Sequence, residues 1–173
     1  GGVTEGNIDD AMDIIKTNGT ISIAADAVIG GGTVDKKVTI TDAGTGGAID
    51  GTLTVTVGGG DIANLDLSGN PAITLNLTSG NTGSLTISSN AFTLTNGGEG
   101  ILVETGNANS AGTFPLNIVG NTVTGGAASS KAIHFRNQTT GSATFSAVNV
   151  YDGNTFNTPG YDFYRTNENN VCT

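Results

Sequence analysis

Three carboxylates in the strand-forming part of the chain, Asp61, Asp66 and Glu104, are the candidates for catalysis. Two carboxyl groups about 5 to 10 Å apart can hydrolyse a glycosidic bond, one as an acid and the other as a base or nucleophile. Strands stacked on one another could bring Asp66 close to such a partner, but no motif in the sequence requires it. We therefore expect a non-enzymatic protein without catalytic residues.

A histidine and an arginine, His134 and Arg136, lie two residues apart in a predicted strand and so share one of its faces. One interpretation is a functional pair. The interpretation that we favour is an outer, solvated face, because Ile133 and Phe135 alternate with the two polar residues and would point into a core.

Metal and thiol chemistry has little support in the sequence. The segment from Gly58 to Asp66 is distantly similar to a calcium-binding nonapeptide, but it occurs once and that motif works as a repeat. We predict a turn there and no cofactor, with a lone structural Ca²⁺ as the alternative. The single cysteine, Cys172, excludes an intrachain disulfide and a metal site of paired cysteines. It is either an incidental thiol or the half of an intermolecular bridge.

Four copies of a short pattern organise the chain, each an alternating apolar strand followed by a turn with asparagine. The asparagines are Asn70, Asn90, Asn121 and Asn154, and they are spaced by 20, 31 and 33 residues. Such a repeat is typical of a solenoid, whose coils bury their apolar sides on one another. We predict that these asparagines adopt the left-handed conformation and form an internal ladder of amide hydrogen bonds. Four solvent-facing turn residues are the alternative.

The elements that carry the repeat are short strands behind one helix. Residues 7–17 have helical periodicity, and Asn7 and Asp10 form a capping-box-like start. From residue 20 onward the hydrophobic period is 2, and Gly, Asn or Asp bound the strands. We predict one domain over residues 1–173, with a capping helix (7–17), coils of three strands each (20–165) and a polar C-terminal tail (166–173).

The run from Gly6 to Ala25 resembles the opening of pectin-lyase-like right-handed parallel β-helices, which begin with a capping helix, a turn and a first strand. The turns in 89–92 and 153–156 are similar to the Asn-containing turns of that fold. The resemblance implies an all-β fold, a right-handed parallel β-helix with three strands per coil and a short N-terminal capping α-helix. It implies no activity, because the family's Asn-Thr-Asp, Gly-His-Gly and Arg-Ile-Lys elements do not occur in this chain.

Composition restricts the partners. The chain has 15 acidic and 6 basic residues, a net charge of −9 and no basic stripe, which excludes nucleic acid as a partner. It has no run of about 20 apolar residues, so we expect no membrane insertion. Few lysines together with many Thr, Asn and Gly residues favour a secreted protein, extracellular or at the cell surface.

All nine aromatic residues follow residue 91, and the last are Tyr161, Phe163 and Tyr164. With Cys172 we predict these as an assembly or ligand surface. Because a helix caps only the N-terminal end, unpaired strand edges at the other end invite pairing. We expect a self-assembling filament or cell-surface subunit. The alternatives are a carbohydrate-binding or polysaccharide-processing module, with glycans as partners, and ice binding through threonines such as Thr52, Thr54 and Thr56.

Overall fold

The computed structural model describes residues 6–57, 59–77, 83–105, 115–137, 148–150 and 153–167. This part of the chain consists of one helix followed by short strands. The helix, α1 (Ile8–Ile14), is shorter than the predicted 7–17. Asn7 caps it as predicted, since Asp10 N–H donates to Asn7 Oδ1 at 3.0 Å and the Asp10 carboxylate accepts from Asn7 N–H.

One face of α1 closes the core and the other faces out. Ile8 and Met12 are buried, whereas the aspartates of the helix are exposed. At its C-terminal end, Lys36 Nζ donates to the carbonyl oxygens of Met12 and Ile15. A lysine therefore satisfies carbonyl groups that a helix of this length leaves unpaired.

Thr-, Val- and Ile-rich segments bounded by Gly, Asn or Asp form the strands, as residues of these types favour. The described strands are β1 (Thr20–Ile23), β2 (Val28–Val34), β3 (Val38–Asp42), β4 (Ala48–Val55), β5 (Gly60–Ala63), β6 (Asp66–Leu67), β7 (Ile73–Leu77), β8 (Leu85–Ser88), β9 (Ala91–Leu94), β10 (Glu99–Thr105), β11 (Leu116–Val119), β12 (Thr122–Gly125), β13 (Lys131–Asn137), β14 (Val148–Val150), β15 (Thr155–Asn157) and β16 (Tyr161–Asn167). β16 runs two residues into the predicted polar tail.

The strands pair in parallel and form two sheets. The first sheet has six strands in the order β1-β3-β5-β8-β11-β14. Its pairing is in register, so residues of like character form columns across the strands. The core-facing column is Ile21, Ile40, Ile62, Ile87, Ile118 and Val150.

The second sheet has ten strands in the order β15-β12-β9-β6-β4-β7-β10-β13-β16, and β2 pairs with β4 outside this path. Its core-facing columns meet those of the first sheet and of α1 in one hydrophobic cluster. We call the array of successive strands in the two sheets the stack. Two of the core-facing columns end at its C-terminal end, one in Phe156 and one in Phe163.

The prediction of a right-handed β-helix with three strands per coil is wrong, because the described strands form two parallel sheets. β4 explains the difference. Its first residues pair with β6, and Leu53, Thr54 and Val55 pair with β7, so one continuous strand joins two rows that we had expected to be separate. Gly51 lies between the two halves at a φ of 131°, a conformation that lets the chain bend without ending the strand.

Substitution of Gly51 by alanine tests this bend. A Cβ atom at Gly51 would lie 2.9 Å from the Gly31 nitrogen on the neighbouring strand, in addition to the strain of its positive φ. We expect Gly51→Ala to lower the free energy of unfolding by about 2 to 4 kcal/mol, measured by urea denaturation.

Gly44→Ala is the matched control, since its Cβ would approach only the Ala25 Cβ, at 3.3 Å, and its φ is not positive. Equal effects of the two substitutions would show that the bend does not require glycine.

Candidate functional site

Three of the four predicted asparagines lie side by side inside the stack. Asn90 Nδ2 donates to Asn121 Oδ1, and Asn121 Nδ2 donates to Asn154 Oδ1, both at 3.1 Å. Asn90 and Asn121 are almost fully buried, with 2% and 1% of their surface exposed. Each of the three occupies the turn between a strand of the first sheet and a strand of the second.

Backbone groups complete the hydrogen bonding of this asparagine stack. The Oδ1 atoms of Asn121 and Asn154 also accept from the backbone N–H of Asn90 and of Asn121, at 3.0 and 2.9 Å. The three Nδ2 groups donate to carbonyl oxygens of the first sheet, those of Ile62, Ile87 and Ile118. Because a buried amide without partners is costly, the stack holds the two sheets in one register.

Asn70 does not join the asparagine stack. It is exposed, and its Oδ1 accepts from Glu99 N–H at 3.1 Å. The position beside Asn90 belongs to Leu65, whose N–H donates to Asn90 Oδ1 at 3.1 Å. The first copy of the sequence pattern, 65–70, therefore matches the other three in residue type but lies at β6, in the second sheet rather than the first.

The left-handed conformation predicted for the asparagines is adopted instead by the residue that precedes each of the three stacked ones. Positive φ angles occur at Ser89, Gly120 and Gly153, at 56°, 64° and 91°. The asparagine that follows is then free to point its amide inward. The backbone turn and the amide stack are thus made by two adjacent residues, and the predicted left-handed asparagines are wrong.

A polar cluster lies in the second sheet, at β10, β13 and β16. Glu99 Oε1 accepts from Lys131 Nζ at 2.7 Å and lies 2.9 Å from His134 Nδ1. The Tyr164 ring meets the His134 ring edge-on at 5.2 Å between centroids and lies 5.1 Å from Lys131 Nζ. Tyr161 packs against Tyr164 at 4.9 Å. We call these five residues the Glu99 cluster.

The electrostatics of the cluster keep Glu99 ionised. Burial raises the pKa of its carboxyl group, but the hydrogen bonds and charges of His134 and Lys131 outweigh burial and lower the pKa to about 2. A carboxyl with this pKa cannot act as a general acid near neutral pH. The second carboxylate of the strand, Glu104, is paired with Arg136. It lies five residues further along, about 16 Å away, which is too far for the two-carboxylate hydrolysis of a glycosidic bond.

His134 and Arg136 share a face, as predicted, opposite the core-facing Ile133. The prediction of a solvated face is wrong for His134, which is 4% exposed. Sequence reasoning missed Glu99, although a signal was present. Glu99 and Glu104 have the same spacing as Lys131 and Arg136, so in-register strands place two pairs of opposite charge side by side.

The other residues considered for catalysis or ligand binding lie apart from one another in the structure. Asp61 is exposed in the first sheet, where it lies 3.5 Å from the Thr39 hydroxyl, whereas Asp66 is exposed in the second sheet. Within the described ranges, no three His, Cys, Asp or Glu side chains are placed to hold a metal ion. Of the threonines predicted for ice binding, Thr52 and Thr54 lie in β4 of the second sheet, and Thr56 directly follows this strand.

The last predicted surface lies at the C-terminal end of the stack. Tyr161 and Phe163 are 48% and 51% exposed, and Tyr164 is half-buried within the Glu99 cluster. Phe163 packs edge-on against Phe156 at 5.5 Å. Cys172 lies outside the described residues.

Comparison of the chain with protein-family models, curated proteins and solved structures finds no match. The resemblance to pectin-lyase-like proteins therefore stays a prediction. In the described part of the chain, no helix has the length and apolar character of a membrane span.

Removal of the central amide of the stack tests its contribution to stability. Asn121→Ala removes the acceptor of two Asn90 N–H groups and a donor to the buried Ile87 carbonyl, so we expect a loss of about 2 to 5 kcal/mol in the free energy of unfolding. Asn70→Ala, the control, removes one exposed acceptor and should cost about 1 kcal/mol or less. Urea denaturation that gives the same loss for both variants would contradict a structural role for the stack.

The lowered pKa of Glu99 predicts a specific pH dependence. Its ionised form stabilises the folded chain above pH 4.5, and this contribution is lost as the pH falls from 4.5 to about 2. We expect Glu99→Gln to be less stable than the wild type by about 1 to 2 kcal/mol at pH 7 and equally stable near pH 2.

Asp13→Asn is the control for this experiment, because it removes an exposed charge of the same sign. Urea denaturation at several pH values gives the comparison. A stability difference between Glu99→Gln and the wild type that does not change with pH would contradict the role of the charge.

Proposed function

We propose that this chain is a non-enzymatic extracellular structural protein, a filament or cell-surface subunit that associates with further copies of itself through the ends of its sheets. The observation that supports this most is the exposure of core-facing side chains at the C-terminal end. Phe163 continues the column of Ile133 and Val150 that of Ile118, yet they are 51% and 37% exposed.

Burial of these side chains by another copy would be favourable, at about 25 cal/mol for each Å² of apolar surface removed from water. The backbone supports the same conclusion. β14 is the last strand of the first sheet, and β15 and β16 are the last strands of the second. The outer edge of each has no strand partner in the described part of the chain. Unpaired edges of this kind pair readily with another chain.

The geometry of the ends favours head-to-tail association. Within each sheet all strands run in the same direction, so its two edges differ, and one end of a copy must meet the opposite end of the next to continue the parallel pairing. Such a contact yields a filament unless the rotation between copies closes a ring. The net charge of −9 and the polar, Thr-rich surface suit a chain that stays soluble outside the cell between assembly events.

Glycan binding is a second candidate, and one observation favours it. The exposed ring of Tyr161 lies beside Tyr164 and the charged pair of Glu99 and Lys131. An aromatic ring next to hydrogen-bonding groups is a common arrangement in ligand sites. Tyr164 itself is packed by His134 and Lys131, which leaves one ring, Tyr161, for a sugar.

The self-association proposal predicts an effect of charge at the exposed end. In Phe163→Glu the core-facing ring at the end of the stack is replaced by a carboxylate, whose burial is costly, so we expect the association constant to fall by about tenfold or more. Sedimentation velocity over a range of protein concentrations measures the constant, and negative-stain microscopy shows whether filaments form.

Thr93→Glu is the control, because it adds the same charge at an exposed position of β9, away from the ends. A wild-type chain that stays monomeric at every concentration would refute the proposal. Hits for that monomer on a glycan array, lost in Tyr161→Ala, would instead support the second candidate.

A further inference from the structure

The N-terminal end of the stack has one covered sheet edge and one open edge. At β2, Gly30 N–H donates to the Gly6 carbonyl at 3.2 Å and Thr33 N–H donates to Asp9 Oδ1 at 2.7 Å. The helix and the residue pair before it thus satisfy that edge. β1 pairs with β3 on one side, and within the described ranges no strand lies on its other side.

A groove runs along the open edge of β1, between this strand and α1. Its volume is about 420 Å³, and its lining is largely apolar, with Ala11 and Ile14 from the helix, Ile15 directly after it, and residues 20–24 at the strand. Ile14 is 78% exposed. The groove therefore combines an unpaired strand edge with apolar surface. A strand added there would form main-chain hydrogen bonds with the edge and bury side chains on the apolar surface.

The hydrogen bonds of the first sheet identify the backbone groups that face the groove. The Gly19 and Ile23 carbonyls accept from Thr39 N–H and Ala43 N–H, at 3.0 and 2.8 Å, on the β3 side. Alternate residues of a parallel strand bond to opposite neighbours. The N–H and C=O groups of Ser22, like those of Thr20, are therefore directed into the groove.

The other end of the first sheet carries the complementary edge. Within this sheet a core-facing residue bonds to the following strand, as Leu85 N–H does to the Pro115 carbonyl at 3.1 Å. Val150 occupies the core-facing column of β14, so its N–H and C=O are directed away from β11 and toward the end of the sheet. Asn149 faces outward, and its side chain bonds back to Asn117 Oδ1 at 3.1 Å.

We infer that β14 of one copy adds to the open edge of β1 in the next copy, parallel and in register. Val150 then lies beside Ile21, and Asn149 lies beside Thr20. This inference rests on the proposed self-association and names its acceptor and donor strands. A second copy is the occupant that fits. Its β14 would pair with β1 in the same direction, in the same register and with the same alternation of inward and outward side chains as the five successive strand pairs inside the sheet.

The second sheet meets differently in this arrangement. Because α1 covers the β2 edge, β16 of one copy faces the helix of the next copy rather than a strand. The helix exposes three aspartates and Ile14, and β16 exposes Asp162, Phe163 and Arg165. Ile14 and Phe163 thus bring apolar surface to the two sides of this contact.

Proline at Ser22 tests the acceptor edge. Proline has no N–H, and it is tolerated where that group of an edge strand is not bonded inside the sheet. We expect Ser22→Pro to fold and to weaken association by about tenfold or more, as sedimentation velocity measures it. Ser22→Val, which keeps the N–H at the same exposed position, is the control and should associate like the wild type.

A cysteine cross-link tests the register independently of that variant. In a Cys172→Ser background, Thr20→Cys and Asn149→Cys lie at opposite ends of the six-stranded sheet, about 24 Å apart in one copy, so no disulfide forms within a chain. Between copies in the inferred register their Cα atoms lie about 5 Å apart. We expect mild oxidation to give a ladder of covalent oligomers on a reducing-agent-free gel.

The off-register pair Ser22→Cys with Asn149→Cys is the control, because its Cα atoms would lie about 8 Å apart, beyond the reach of a disulfide. Two results would overturn this inference and leave the proposed self-association intact. In one, the wild type associates but the in-register cysteine pair gives no ladder; in the other, the wild type associates and Ser22→Pro folds without weakening association. A wild-type chain that never associates overturns both.

Discussion

Parallel pairing in register, between strands that are far apart in the sequence, is the constraint on which the rest of this structure depends. Each residue lies beside its equivalent in the next strand, so a residue type repeated at one position becomes a column. Apolar columns such as that of Ile40 and Ile62 form the core without aromatic side chains in the first half of the chain. Polar residues form columns too, and neighbouring members of such a column must satisfy one another's hydrogen bonds and charges.

The buried polar groups show how the columns do this. An amide can both donate and accept, so asparagine can repeat in a column, as Asn90 and Asn121 do. A carboxylate cannot repeat, because like charges side by side repel each other. Glu99 therefore has Lys131, a residue of opposite charge, beside it. At the two ends of a sheet the column has no next member, and this is why the ends, rather than the faces, are the proposed sites of association.

Much of this could be predicted from the sequence. The capping box at Asn7 and the two-residue period of the strands follow from local residue types, and the repeated strand-and-turn pattern marked Asn90, Asn121 and Asn154 as residues that can stack. The number of sheets could not be predicted, because a glycine such as Gly51 can either end a strand or bend it, and only its neighbours decide which. The place of Asn70 could not be predicted either, since its pattern of residue types fits either sheet.

The sequence by itself determined the strand period, the helix cap and the residues that can stack, because these depend on interactions within a few residues. Tertiary structure alone decided which strands are neighbours, and with them the Glu99 cluster, the burial of His134 and the open edge of β1. These features join residues that are 20 to 35 positions apart, as Glu99 and His134 are. Their contacts arise from the register of the stack, which no single segment of the chain encodes.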